Sequence, residues 1–221
     1  MKYYPIVLRI AGRRCLVIGG GHVAQQKAQS LLRAGALVTV ISPEVTPTLA
    51  ALASAQDIVH EARPYVSGDL RGFFLAYAAT NDHQLHEVIA RESQAAGVLL
   101  NVVDQPQLCD FIVPSVLERG DLLIAASTSG TSPALAKRVR RQLEGWFGTE
   151  YDLALQLLGR LRRRLAGHAL TSAERQRIFA ALVDSPLIDY LRERQAADID
   201  RLLAATVGGD VSLASLGMEL S

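Results

Sequence analysis

Apolar and polar positions follow two regimes along this chain. In the first half, short apolar runs of strand length alternate with turns or one-sided helical patterns. In the second, the 3.6-residue period dominates. The segment Tyr4–Ile10 reads as a short extended piece punctuated by Gly12, and Arg14–Ile18 as a buried strand. From His22 to about Arg33 the apolar positions Val23, Ala24, Ala28, Leu31 and Leu32 predict a helix, with Gly35 at its C′ position. Leu37–Ile41 is apolar on both sides of the pleat, which suits a parallel sheet. Further strands are predicted at Ile58–His60, Phe73–Ala79 and Leu99–Val103, with a helix from about His83 to Ala96 ended by Gly97. Residues 1 to about 113 therefore predict an α/β fold, a Rossmann-type doubly wound parallel sheet. Beyond them come an apolar run at Leu122–Ser127 and a helix from Ala134 to about Phe147. Further helices are predicted over Tyr151–Ala166, Ala173–Val183 with Ser172 as N-cap, and Pro186–Ala205. The tail from Val207, with Gly208-Gly209 and few charges, predicts disorder.

The stretch C-L-V-I-G-G-G-H-V-A-Q-Q-K (Cys15 to Lys27) joins the first strand to the first helix. Its spacing Gly19-x-Gly21-x-x-Ala24 is the dinucleotide fingerprint, with alanine in third place. Gly19 allows the turn, Gly21 lets a pyrophosphate approach the backbone, and Ala24 lets the helix lie close on the strand. The N–H groups at the helix start, His22 and Val23 among them, then attract phosphate. At the end of the second strand this pattern calls for an acidic residue on the ribose, but the chain reads Ser42-Pro43-Glu44. Ser42 offers one acceptor, Glu44 comes two residues late, and Pro43 either lies against the adenine or is a plain loop proline. No arginine is there for a 2′-phosphate, so NAD is the expected cofactor rather than NADP. Thr80-Asn81, after a strand of small residues, stands where an open α/β sheet exposes backbone to its ligand.

Composition narrows the field. The chain has 221 residues, 49% hydrophobic and 20% charged, as in a globular protein. A net charge of +1 gives no field to recruit nucleic acid or a membrane surface. Two cysteines, Cys15 and Cys109, make neither a disulfide framework nor a zinc site. The N-terminal apolar run is too short for a signal peptide, and no stretch has membrane-span length, so a cytoplasmic protein is expected.

Asp104, delivered at a strand's C-terminal end on the same rim as the glycines, is the first candidate for proton transfer or metal holding. Its competing role is a loop-capping Asp in Asp-Gln-Pro. Ser127 to Pro133 is either a second anion cradle or ordinary N-capping chemistry. Lys137, Arg138, Arg140 and Arg141 either meet a polycarboxylate or form a solvated helix face. Arg160, Arg162, Arg163 and Arg164 read as a solvated face. His83 and His86 share one helical side without a matching third ligand, so no metal site is expected.

Taken together, Pro5-Ile6, Val17–Lys27, Leu31–Pro43, A-A-T-N-D (Ala78 to Asp82), N-V-V-D (Asn101 to Asp104), F-I-V-P-S (Phe111 to Ser115) and S-G-T-S-P-A-L-A (Ser129 to Ala136) resemble one family. It is that of the precorrin-2 dehydrogenases, which also includes sirohydrochlorin ferrochelatases; the motifs run in order over about two-thirds of the chain. The resemblance implies NAD-dependent oxidation of precorrin-2 to sirohydrochlorin in sirohaem or cobalamin formation. In some members Fe²⁺ insertion follows, and the sequence leaves that open. It places the catalytic aspartate on Asp104. It places cofactor contacts on Gly19, Gly21, His22, Val23, Ala24, Ser42, Pro43, Glu44 and Thr80. The tetrapyrrole would be held by Asn101, Ser127, Thr128, Ser129, Gly130 and Lys137. It further implies a homodimer, with a Rossmann domain over 1–113, a dimerisation segment over 114–147 and a helical domain over 148–221. Some relatives carry a modified serine where this chain has Thr128, and a methyltransferase domain behind this region. Here the chain ends at Ser221, so methyltransferase activity is not expected. The alternative function is a non-catalytic NAD-sensing domain, which needs the glycine loop but no catalytic carboxylate.

Overall fold

The computed structural model describes residues 2–168 and 170–220. They form two compact units divided after Val113. The first is built on a five-stranded parallel sheet of β1 (Arg14–Ile18), β2 (Leu37–Ile41), β3 (Ile58–Glu61), β4 (Leu75–Ala78) and β5 (Leu99–Val102), in the order β3-β2-β1-β4-β5. The strand order reverses between β1 and β4, the crevice where a doubly wound sheet takes its ligand. One face of the sheet packs on α1 (His22–Arg33) through Ala24, Ala28 and Leu31, the apolar stripe of that helix. The other packs on α3 (His83–Ala96) through Ile89 and Ala90. Gly35 (φ +76°) and Gly97 (φ +66°) end these helices in the left-handed conformation, as their positions predicted.

Two elements of this unit were not predicted. The helix α2 (Pro47–Ser54) starts from Thr46, whose Oγ1 accepts the Leu49 N–H at 3.3 Å, with Pro47 in its first turn. Residues 104–111 fold back along the free edge of β5. Leu100 N–H donates to the Asp110 carboxylate (2.9 Å), Val102 N–H meets Cys109 Sγ (3.1 Å), and Asn101 Nδ2 donates to the Phe111 carbonyl (2.9 Å). That cover leaves less of the edge open to pairing with another chain. Residues 4–10 stay outside the sheet and are mostly exposed.

The second unit begins with an antiparallel hairpin of β6 (Ser115–Arg119) and β7 (Leu122–Ala126), of which the sequence marked only the apolar run that becomes β7. Then come α4 (Pro133–Trp146), α5 (Glu150–Ala166), α6 (Ser172–Val183), α7 (Leu187–Arg192) and α8 (Ala196–Thr206). Four expectations need correction. The cap of α6 is Thr171, not Ser172. Thr171 Oγ1 accepts the Glu174 N–H (3.2 Å) and the Glu174 carboxylate accepts the Thr171 N–H (2.7 Å), a box that needs the glutamate three residues on. The expected single helix from Pro186 to Ala205 is two. Arg194 takes φ +56° and Gln195 N–H closes on the Tyr190 carbonyl, a break that turns Leu187, Leu191, Ile199 and Leu203 onto one core.

The tail is ordered. Val211, Leu213, Leu216 and Met218 are buried in the helical core. The basic run on α5 is not simply solvated. Arg160 donates to the carbonyls of Leu216 (3.1 Å) and Gly217 (2.6 Å), and Arg164 to those of Ser215 and Asp210 (3.2 Å each).

Glu150, 7% exposed at the start of α5, is paired with the half-exposed Arg192 at 3.0 Å. Burial alone would raise its pKa. Hydrogen bonds from its own N–H, from Arg192 and from Gly148 outweigh that and hold it below the usual glutamate range. A depressed carboxylate contributes stability above its unfolded pKa and loses it as pH falls through the folded value. Arg192→Ala should therefore lower stability at pH 7. Denaturant titrations at pH 7 and pH 3 should show most of that difference gone at the lower pH.

Candidate functional site

The three glycines after β1 do different work. Gly19 has φ +118°, and a Cβ there would overlap the Ala79 carbonyl oxygen and come within 3.4 Å of the Thr80 nitrogen. The turn is thus pressed onto the end of β4. A Cβ on Gly20 would overlap the Glu44 carbonyl oxygen and lie 2.8 Å from Ser42 Oγ, so this glycine seats the loop after β2. The fingerprint spacing gave it no such role. Gly21 caps α1 with open space where its Cβ would be. No side chain caps the helix, its first turn carries no acid, and the first helical bond is Gln25 N–H to the Gly21 carbonyl. The N–H groups of His22, Val23 and Ala24 are therefore left beside a clear approach, a cradle that fits a dinucleotide pyrophosphate.

On the β2 side, Ser42 is nearly buried and its hydroxyl donates to the Glu44 carbonyl at 2.7 Å. It shapes the turn over Gly20 and keeps lone pairs to accept with. Pro43 and Glu44 are exposed. The first Lys or Arg after β2 in the chain, Arg63, follows β3 and is engaged by Asp69 (2.7 and 2.9 Å) and by Glu61. An arginine held by two carboxylates is poorly placed to receive a 2′-phosphate, which favours NAD.

On the other side of β1, register sets Ile18, Ala78 and Val102 abreast, so the residues beyond them line one rim. Two strand spacings, about 10 Å, separate the end of β1 from that of β5. Thr80 lies beside the glycine turn, with its hydroxyl on His86 Nε2 (3.0 Å) and on the Asp82 N–H (3.3 Å). Asn101 spends its amide N–H on the loop that covers β5. Asp104 is exposed, takes φ +61°, and makes no side-chain hydrogen bond among the described residues. The capping role suggested for it falls to other residues: Asp82 caps α3 and Asp110 caps the β5 edge. A carboxylate with no local bonds, held in a conformation that L-residues avoid, is free to act on a ligand.

Lys27, which the sequence did not single out, belongs to this group. From α1 it reaches across the face of Tyr77, with Nζ 5.3 Å from the ring centroid. Burial lowers its pKa, while Asp104 and Cys109 draw it back up. Tyr77, pushed up to about 12 by burial, stays protonated beneath it. Only the folded sheet makes these three neighbours.

The remaining candidates belong to the second unit. Ser127 to Ser132 is a tight loop: Ser129 (φ +55°) and Gly130 (φ +84°) turn it, and Ser127 Oγ accepts the Ser129 N–H (3.1 Å). Thr128 Oγ1 bridges the Ser132 N–H and carbonyl (3.0 Å each), and Ser132 Oγ caps α4. The turn-and-cap role thus accounts for these hydroxyls. Lys137 and Arg138 are exposed, whereas Arg140 pairs with Glu144. His83 and His86 stack edge to face, with centroids 5.7 Å apart.

Residues 6–115 match the family model described as "Putative NAD(P)-binding", and residues 119–145 match that of the sirohaem biosynthesis protein central region. A sirohaem synthase of Methylobacillus flagellatus is 40% identical over 81% of this chain and 38% of its own length. One of Pseudomonas putida is 35% identical over 98% of this chain and 48% of its own length. The chain thus spans about half the length, or less, of these curated relatives. Among solved structures, SirC, a precorrin-2 dehydrogenase, superposes with a TM-score of 0.78 at 23% identity, covering 92% of this chain and 98% of that one, a likeness of fold. The two family regions stand in order on one chain, around the sheet and loops just described, and the chain belongs to the sirohaem synthase family of NAD(P)-binding proteins.

Proposed function

We propose that this chain is an NAD-dependent dehydrogenase that oxidises precorrin-2 to sirohydrochlorin in sirohaem or cobalamin formation, in the cytoplasm. The observation that carries the proposal is the rim itself. An open phosphate cradle at Gly21 and a carboxylate at Asp104, without a side-chain hydrogen bond among the described residues, lie beyond the ends of β1 and β5 on the same edge of one sheet, strand ends that stand about 10 Å apart by strand spacing.

The N–H groups of His22, Val23 and Ala24 would hold the pyrophosphate, with Ser42, Pro43 and Glu44 toward the adenosine and Thr80 on the opposite side. NAD⁺, when bound, supplies the hydride acceptor. Oxidation of the macrocycle removes a hydride and a proton, and Asp104 takes the proton at its carboxylate. Lys27 adds a cation to the same rim, close enough to that carboxylate for the two charges to interact.

Purified protein mixed with precorrin-2 and NAD⁺ should develop sirohydrochlorin absorbance and NADH in equal amounts. A nucleotide-sensing domain would bind NAD⁺ and leave the tetrapyrrole spectrum unchanged, and that result would overturn the assignment.

A homodimer formed through residues 114–147 belongs to the same proposal. Leu123, Leu135 and Trp146 on that segment are 45%, 50% and 69% exposed, large apolar side chains that such an interface would cover. Sedimentation should give about twice the chain mass, and Leu123→Asp with Trp146→Ala should shift it toward the monomer.

A further inference from the structure

His86 is 1% exposed, and its Nδ1 is the one buried side-chain polar atom without a partner among the described residues. Its Nε2 lies 3.0 Å from Thr80 Oγ1. The same oxygen receives the Asp82 N–H at 3.3 Å. These three facts decide how the Thr80 hydroxyl is oriented.

A neutral imidazole carries its hydrogen on one nitrogen. On Nδ1, it would be a buried N–H with nothing to receive it, the rarest kind of orphan in folded proteins. Thr80 would then spend its own hydrogen on Nε2. On Nε2, the hydrogen goes to Thr80 Oγ1, and only a bare lone pair is left in the interior, a smaller loss. Oγ1 then accepts twice, from His86 and from Asp82, which fills both of its lone pairs. What remains is the hydroxyl hydrogen, on a half-buried residue pressed against the glycine turn through Gly19. Burial first, and then the neighbouring His83, pull the imidazole below its usual pKa, against the opposing pull of the Thr80 backbone, Asp82 and Gln105. His83 is held in turn by Gln105, next to Asp104.

We propose that His86 is a positioning residue that fixes Thr80 as an obligatory hydrogen-bond donor into the cofactor cleft, so that the ligand group received there must be an acceptor oxygen. This rests on the cofactor reading above, and the test separates the two.

Long-range ¹H–¹⁵N correlation on ¹⁵N-histidine protein without cofactor should show His86 as the Nε2–H form between pH 6 and 8. An Nδ1–H form overturns the proposal, whatever binds. Calorimetric titration of NAD⁺ should then show Thr80→Val and His86→Phe each binding about 5–10-fold more weakly, the size of one neutral hydrogen bond. His86→Gln, whose amide N–H can donate to Oγ1, should recover most of that loss, and the Thr80→Val/His86→Phe double variant should bind no worse than Thr80→Val alone. Melting curves identify a variant that fails to fold, and the tautomer measurement stands without any variant. If wild type binds NAD⁺ and the single variants bind equally well, or if their losses add, His86 does not act through Thr80. If wild type fails to bind NAD⁺, the cofactor reading falls, and this assignment with it.

Discussion

Asp104→Asn should lower the rate of precorrin-2 oxidation about 10²–10⁴-fold while leaving NAD⁺ affinity and melting temperature near wild type. That is about 3–5 kcal/mol of transition-state stabilisation. The separation is expected because the carboxylate makes no side-chain hydrogen bond among the described residues. Asparagine is close in size and tolerates the left-handed backbone, so the loop keeps its shape and only the proton acceptor is lost. Asp104→Gly gives the complementary result: the strained φ of +61° is relieved, and the variant should be no less stable but equally inactive. Single-turnover absorbance with saturating NAD⁺ reads the rate, and thermal denaturation reads the fold. Full activity in Asp104→Asn would remove this residue from the chemistry.

The glycine loop should separate fold from cofactor binding in the opposite sense. Gly19→Ala and Gly20→Ala should each destabilise the first unit by about 2–5 kcal/mol, since the added methyl meets backbone carbonyls that cannot rotate away. At Gly19 a positive φ adds to the clash. Gly21→Ala meets nothing within 4 Å. It should fold normally and bind NAD⁺ at least tenfold more weakly, because the methyl stands where the pyrophosphate approaches. Urea unfolding with parallel NAD⁺ titrations checks both halves. A Gly21→Ala protein with normal affinity would mean that the cradle is not used.

These contrasts show what a linear reading can reach. The ends of α1 and α3 were legible because Gly35 and Gly97 mark them by a local conformational need. The buried strands were legible because a sheet covered on both faces leaves long apolar runs. The helix α2 was missed because its alanine-rich face has little period, and β6 because its partner lies across a turn at Gly120. The break at Arg194 carries no glycine or proline to announce it. At the site, spacing pointed to the glycines and to Asp104. It could not show that Gly20 seats the neighbouring loop, that Lys27 lies over Tyr77, or that His86 is bonded to Thr80. Those relations exist only once residues far apart in the chain have been brought together.

The ordered tail bears on when each half of the chain can fold during synthesis. Leu157 and Leu161 share a core with Leu216 and Met218, and two guanidinium groups of α5 grip the carbonyls around them. The helical half therefore cannot complete its interior until residue 218 has cleared the ribosome, whereas the sheet needs nothing beyond Phe111. A nascent chain would then carry a finished nucleotide-binding module ahead of helices still waiting for their last strand of polypeptide, the vectorial order in which domains generally mature.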